Sequence, residues 1–431
     1  MHDGALMKPF VSTAGYIAVV CVMLFSSILA YLKLQGSILE VSPLQLFSMI
    51  GVTFTCMLLW EYISKTKYNR LHHITSSFHA LSSSNFHILK STLFRWISLF
   101  VPFYIGYFIL THHFYFIHNQ AFAPTILLFG LFLKIMLFIS PLYIFVTLKF
   151  RGQYHYEFND YALLTLIGLK SLACTIFCKK PVASFYKNRR VKKVFLVYLV
   201  NFFFITLMAR FLVQEYHGFE QMLHTLFSDN FAKMHWYDKA RNTYFLLFHS
   251  LFLVDVSIAT IGYAFASRWL NNRTKSVDFT LSGWMVAIIC YPPFNSFLSG
   301  NFISYNTPAT HAIITSQAAW AFIFVLLILA YTIYVWGTVA LGFKFSNLTN
   351  RGIITTGPYR FVRHPAYAAK NFAWLIDNTY VFTNIWATLA FFAWNGIYIL
   401  RGLTEERHLS HDPSYRDYTQ TVTYRFIPKI I

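Results

Sequence analysis

Near the C-terminus, the run Gly357-Pro358-Tyr359-Arg360-Phe361-Val362-Arg363-His364-Pro365-Ala366-Tyr367 is followed by an apolar stretch. Then comes Arg401-Gly402-Leu403-Thr404-Glu405-Glu406. Gly357-Pro358 interrupts whatever helix precedes it. Pro365 disfavours helical geometry at His364 and suits the first turn of a new helix. Tyr359, Arg363, His364 and Tyr367 therefore collect on a short loop and a helix start, where free N–H groups and the helix dipole suit a carboxylate. On the returning segment Arg401 and Glu405 share one helical face, being i and i+4, while Glu406 points about a quarter turn away. An Arg beside a Glu can hold a carboxylate and an ammonium, respectively.

What must position these residues is a membrane bundle. The 431 residues are 56% hydrophobic and 12% charged, with mean hydropathy +0.49. Several apolar runs are long enough to cross roughly 30 Å of hydrocarbon. The expected fold is an all-α polytopic membrane protein with about ten membrane helices. Spans are expected at 14–32, 43–63, 96–117, 123–148, 194–213, 243–266, 280–299 and 314–342, followed by a C-terminal hairpin at 367–383 and 385–401. Lys8 precedes the first run, which reads as an uncleaved span before a removed signal. The 20% aromatic content suits lipid-facing Phe and interfacial Tyr and Trp.

The net charge of +19 does not indicate nucleic acid, because the basic residues sit in short clusters between apolar runs. Lys65, Lys67, Arg70, Lys90 and Arg95 form one cluster, and Lys179, Lys180, Lys187, Arg189, Arg190, Lys192 and Lys193 another. Arg268, Arg273 and Lys275 form a third, and Lys344, Arg351, Arg360 and Arg363 a fourth. The loops 118–122 and 301–310 carry no Lys or Arg. The four clusters are expected on the cytoplasmic side, with both termini and the polar C-terminal constellation, and facing anionic lipid headgroups. Between two such flanks, 161–178 reads as a re-entrant or interfacial element.

The five cysteines, Cys21, Cys56, Cys174, Cys178 and Cys290, read as small apolar residues, with no metal site expected. Two modules are expected: an N-terminal helical bundle over 1–240 and a catalytic part over 241–431. Singly, Arg360 and Arg363 read as membrane anchors, His364 as an interfacial histidine, and Tyr359 and Tyr367 as belt aromatics. Occurring together at hairpin spacing, where ionisable groups are costly, they read as a site.

This ordered pattern resembles the isoprenylcysteine carboxyl methyltransferase family, integral membrane enzymes that transfer a methyl group from S-adenosylmethionine. The resemblance lies chiefly in residues 340–431. It implies that Arg351, Gly352, Ile353 and Ile354 line the cofactor pocket, with Tyr359 and the segment His364, Pro365, Ala366 and Tyr367. The family's cofactor-binding glutamate falls on Glu405 and its substrate-binding arginine on Arg401, the two residues it makes catalytic. Tyr415, Tyr418 and the ending Tyr424-Arg425-Phe426-Ile427-Pro428 also resemble the family. The chain departs from it at Ala369, where a glycine is usual, and at Lys370 and Asn371 inside the hairpin, which could serve a different lipid headgroup. The implied acceptor is a membrane lipid or lipidated substrate, with a carboxylate favoured. The mechanism is direct displacement, needing desolvation and in-line placement but no general base.

Two further features lie inside the apolar runs. Asp255 is a mid-span carboxylate whose partner is expected from another helix, since His249 is off its face. Tyr291-Pro292-Pro293-Phe294 must break its span, as a packing kink first and a tunnel wall second. A sterol-reductase-like enzyme using NADPH shares part of the C-terminal pattern, and a non-enzymatic lipid-binding or transport protein would suit the extra N-terminal spans. Gly-Pro-Tyr-Arg and the Glu405-Glu406 pair favour methyl transfer over the reductase, while the non-enzymatic reading would require Arg401 and Glu405 to tolerate substitution.

Overall fold

A computed structural model describes residues 13–67, 85–151, 164–171, 188–266, 270–295 and 314–430. Lys8, Arg70, Cys174, Cys178, Lys179, Lys180, Lys187, Arg268 and the loop 301–310 lie outside them, as does most of 161–178. Among the described residues the chain is helical apart from one two-stranded ladder.

Seven helices are long and apolar enough to span a bilayer among the described residues. They are α1 (Ala14–Leu34), α2 (Pro43–Lys67), α3 (Asn85–His112), α4 (Ala123–Arg151), α5 (Arg189–Leu226), α6 (Trp236–Ala264) and, after a shorter helix, α8 (Gln317–Leu341). The protein is thus an all-α polytopic membrane protein, with seven such spans where sequence suggests about ten. The three others differ for physical reasons. Helix α7 (Leu281–Ile288) stops ahead of the Pro292-Pro293 pair, and residues 296–299 of that expected span are not described. Helix α9 (Pro365–Asp377) has 13 residues, about 20 Å at 1.5 Å each, which falls short of a ~30 Å core. Helix α10 (Ile385–Leu409) is long enough, but its last turns carry Arg401, Glu405, Glu406, Arg407 and His408.

The chain divides into two compact units. One, residues 42–48 and 62–214, contains α3, α4 and the first part of α5. Its helices approach closely where small residues allow it: a Cβ on Gly106 of α3 would lie 2.6 Å from the Phe202 ring of α5.

The other unit, residues 1–41, 49–61 and 215–431, holds the C-terminal constellation. Here α8 packs between α6 and α9 through Tyr244, Phe324, Leu327, Tyr331 and Ala373. Buried polar pairs cross-link the apolar helices. Lys33 of α1 lies 2.8 Å from Glu220 of α5, and His249 of α6 lies 2.8 Å from Glu215 of α5. Asp255 accepts hydrogen bonds from Tyr334 (3.1 Å) and Thr338 of α8, so its partners do come from another helix.

Side-chain caps start the elements that matter most. Ser316 accepts from Ala319 N–H at α8, and Asn384 from Trp386 and Ala387 N–H at α10. The ladder, Ser276–Val277 paired antiparallel with Thr349–Asn350, ties the loop before α7 to the loop after α8. It fixes where Asn347 stands.

Helix α1 meets α8 at Gly15, where an added Cβ would overlap the Val339 carbonyl oxygen. Gly15→Ala is expected to cost about 1–3 kcal/mol, because backbone cannot yield as a side chain can. At Gly51 of α2 no atom lies within 4 Å of an added Cβ. Thermal unfolding in detergent should therefore drop for Gly15→Ala and hold or rise for Gly51→Ala.

Candidate active site

The hairpin brings its two polar ends together. Gly357, at φ +63°, turns the chain out of the loop after α8 into a short 3-10 turn (Gly357–Arg360). Pro365 then opens α9. Helix α10 returns so that Tyr367 faces Arg401 and Glu405, while His364 faces Glu406.

The adjacent glutamates have different partners. Glu406 receives His364 Nε2 at 3.1 Å, Arg363 at 3.1 Å and Arg425 Nε at 3.0 Å. Against a carboxylate, that imidazole nitrogen carries the hydrogen. Burial pushes the Glu406 carboxyl up, but the His364 and Arg425 hydrogen bonds and the Arg363 charge outweigh it. The group is held below the ordinary carboxylate range. Glu405 instead accepts one hydrogen bond, from the Tyr367 hydroxyl at 2.8 Å, and no cation pairs with it among the described residues.

Arg401 is 7% exposed, yet no carboxylate pairs with it among the described residues. Its guanidinium donates to Asn347 Oδ1 at 2.6 Å and to the Tyr291 hydroxyl at 3.3 Å. The rings of Tyr367, Tyr291 and Tyr398 lie 5.1, 5.4 and 6.0 Å from its centre. Neutral acceptors and aromatic faces stabilise this cation without cancelling its charge. Asn347 is itself pinned: its N–H donates to the Tyr263 hydroxyl at 2.8 Å and its side chain to Tyr291 at 3.1 Å. Leu348 beside it holds φ +59°, a strained conformation for a branched side chain that the ladder maintains.

Arg401, Glu405, Tyr367, Asn347 and Tyr398 line a cleft with about 680 Å³ of empty space, open to solvent. Of the residues singled out in sequence, Tyr359, His364, Pro365, Ala366, Tyr367, Arg401 and Glu405 line it together. Arg351, Gly352, Ile353 and Ile354 are not on its wall. Arg351 is buried with its guanidinium on the Gly262 carbonyl, and Gly352, at φ +116°, turns the chain beside Lys344. Ile353 and Tyr359 both pack against the buried cluster of Tyr415, Tyr418 and Val422.

Tyr334, Thr338, Asn347 and Tyr398 also line the cleft and carry no signal in the sequence. They sit in ordinary apolar helices or an irregular loop, and only the fold brings them in. Tyr291, the residue before the Pro-Pro pair, lines it too. Among the described residues no group of three or more His, Cys, Asp or Glu side chains converges to hold a metal.

Residues 320–411 match the model of the Isoprenylcysteine carboxyl methyltransferase (ICMT) family. The match takes in α8, the Asn347 loop, α9 and α10, and with them every cleft residue named above except Tyr291. No curated protein and no solved structure matches the chain. The region around the cleft thus resembles a family of membrane methyltransferases.

Removing one partner from a buried charge cluster strands the rest. Glu406→Gln should cost on the order of 3 kcal/mol, against much less for Glu405→Gln, by thermal unfolding in detergent. Because the folded carboxyl titrates below its ordinary 4.5, its contribution is complete above that pH and is lost as pH falls through the folded value. Wild type should therefore lose stability in acid more steeply than the variant.

Proposed function

We propose that this protein transfers a methyl group from S-adenosylmethionine to a lipidic or prenylated acceptor, with a carboxylate as the favoured nucleophile. The carrying observation is that Arg401 and Glu405 face one cleft with unneutralised charges of opposite sign. A buried cation left without a counter-anion suits an anionic ligand, and a carboxylate left without a cation suits an ammonium.

The residues present fit the cofactor. Glu405, held in place by Tyr367, would take the ammonium of the methionyl end. The faces of Tyr359, Tyr367 and the His364 ring offer the electron-rich surface that a sulfonium favours. His364 is fixed by Glu406 and stacked on Tyr367 at 5.5 Å, so it contributes shape, with its Nε2 already engaged. Arg351, Gly352, Ile353 and Ile354 would then shape the site from behind its wall.

When bound, S-adenosylmethionine supplies a methyl carbon already electrophilic on sulfur. An acceptor carboxylate oxygen would take that methyl with its own lone pair, the S–C pair staying with sulfur, so charge would balance and no residue of the chain need move a proton. Arg401 would orient the acceptor carboxylate through the guanidinium donors that Asn347 and Tyr291 leave available. Removing water strengthens both charge contacts and strips the nucleophile's hydration.

The positive-inside arrangement supports a cytoplasmic position for both termini and for the cleft, with the acceptor's apolar part entering from the bilayer. The catalytic part is taken as residues 241–431, and the helical bundle over 1–240 has no assigned step.

Calorimetric binding of S-adenosylmethionine and S-adenosylhomocysteine to the detergent-purified chain tests this reading. Glu405→Gln should weaken both by roughly tenfold or more. With N-acetyl-farnesylcysteine as acceptor, Arg401→Gln should cut kcat/KM by about a hundredfold, mainly through KM, and leave adenosyl-ligand affinity in place. Absence of adenosyl-ligand binding to the wild-type protein would sink the proposal.

A further inference from the structure

The cleft holds a second cation that this chemistry does not use. Lys370 lies on its wall, one turn beyond Ala366 and Tyr367 on the same face of α9. Its Nζ stands 5.3 Å from the centre of the Tyr334 ring and 5.0 Å from that of Trp374. No carboxylate forms an ion pair with it among the described residues. The acidic group that acts on it is Asp255, whose two oxygens already accept from Tyr334 and Thr338. Arg401 opposes it with like charge. A half-buried ammonium kept in a cleft with only aromatic faces for company suits an anion from outside.

The order of residues along the hairpin sets the geometry of that anion. His364 is level with Glu406, Tyr367 with Arg401 and Glu405, and Trp374 with Tyr398, their rings 5.1 Å apart. Lys370 therefore stands about one helical turn, ~5 Å, deeper into the hairpin than Arg401. A single carboxylate held by Arg401 would leave Lys370 unmatched. The planar guanidinium fork suits a planar carboxylate, whereas the ammonium is a point charge with three rotatable donors and suits a tetrahedral oxyanion.

We propose that Lys370 is a phosphate subsite. The acceptor is then a lipid whose phosphate sits on Lys370, between its apolar chains and the terminal group presented at Arg401. This rests on the methyl-transfer reading of the same cleft and makes phosphate-bearing lipids its better-held acceptors, a phosphate-free carboxylate such as N-acetyl-farnesylcysteine being held at Arg401 alone. Asp255 holds Tyr334 in place under Lys370 and so acts on the subsite as a positioning residue.

The test uses the full chain in neutral maltoside micelles and follows intrinsic tryptophan fluorescence, to which Trp374 contributes. Dodecyl phosphate, dodecanoate and inorganic phosphate are titrated in turn, and S-adenosylhomocysteine affinity is measured separately by calorimetry. Dodecyl phosphate should bind roughly tenfold or more tightly than dodecanoate. Lys370→Met should erase that preference and Lys370→Arg should keep most of it, with S-adenosylhomocysteine affinity unchanged in both. Equal affinity of wild type for the two amphiphiles overturns the proposal. So does inorganic phosphate competing as well as dodecyl phosphate, which would mark a free-anion site. A fall in S-adenosylhomocysteine affinity in Lys370→Met also overturns it, by assigning Lys370 to the cofactor carboxylate. If the wild-type chain prefers dodecyl phosphate but binds no adenosyl ligand, the methyl-transfer reading fails while the phosphate subsite stands.

Discussion

The carboxylate of Glu406 is the joint on which the cleft depends. It gathers His364 from the start of α9, Arg363 from the loop before it and Arg425 from the C-terminal tail, all within 3.1 Å. Two segments distant in sequence, the mouth of the hairpin and the C-terminal tail, are thereby fixed to the end of α10. The backbone reinforces the joint: Arg363 and His364 N–H groups donate to the Tyr424 and Arg425 carbonyls at 3.0 and 2.8 Å. The Tyr418 hydroxyl donates to the Tyr359 carbonyl at 2.7 Å. Without this clasp the tail would leave the hairpin mouth, and Tyr359, His364 and Tyr367 would lose their common wall.

One consequence is a division between adjacent acids. Glu406 absorbs the local positive charge, so Glu405, about 100° further round the helix, keeps its own charge for the cleft. The same economy holds at Arg401, whose surroundings solvate the cation with Asn347 and three tyrosine rings but do not neutralise it. Such unbalanced groups persist only where the scaffold is rigid. Here that scaffold is α8, wedged between α6 and α9, and the short ladder that sets the Asn347 loop. Gly402 adds to it, since a Cβ there would lie 2.9 Å from the Phe426 ring of the tail.

Much of this was legible in sequence, for physical reasons that also mark the boundary of legibility. Apolar runs longer than a bilayer needs identify α1 to α6 and α8, because length and hydropathy alone decide such elements. Arg401 and Glu405 are recognisable as cleft partners from their i, i+4 spacing, and Tyr359, His364 and Tyr367 from the two prolines that punctuate their loop. The hairpin helices were harder, since a 13-residue helix capped by a 3-10 turn carries no bilayer-length signal. Asn347, Tyr334 and Tyr398 were out of reach. Their roles come from long-range packing, and nothing local separates Tyr334 from the belt tyrosines around it. Arg351, a basic residue next to the motif, stands off the cleft wall with its guanidinium on the Gly262 carbonyl, a placement that only the fold reveals.

Asp255 shows how the membrane core and the cleft are one system. A carboxylate buried to 5% exposure in an apolar helix is costly unless it is hydrogen-bonded, and Tyr334 and Thr338 supply those bonds from the cleft wall itself. The requirement runs in both directions. Tyr334 needs an acceptor to keep its ring under Lys370, and Asp255 needs donors that only a cleft-lining helix face can present. Placing the acid one layer behind the wall lets its field reach Lys370 while its oxygens stay occupied. Lys370 is thereby left beside the Tyr334 and Trp374 rings with no salt bridge among the described residues. At Arg401 neutral donors and rings take the same part, so neither cation of the hairpin is closed off by a carboxylate among the described residues.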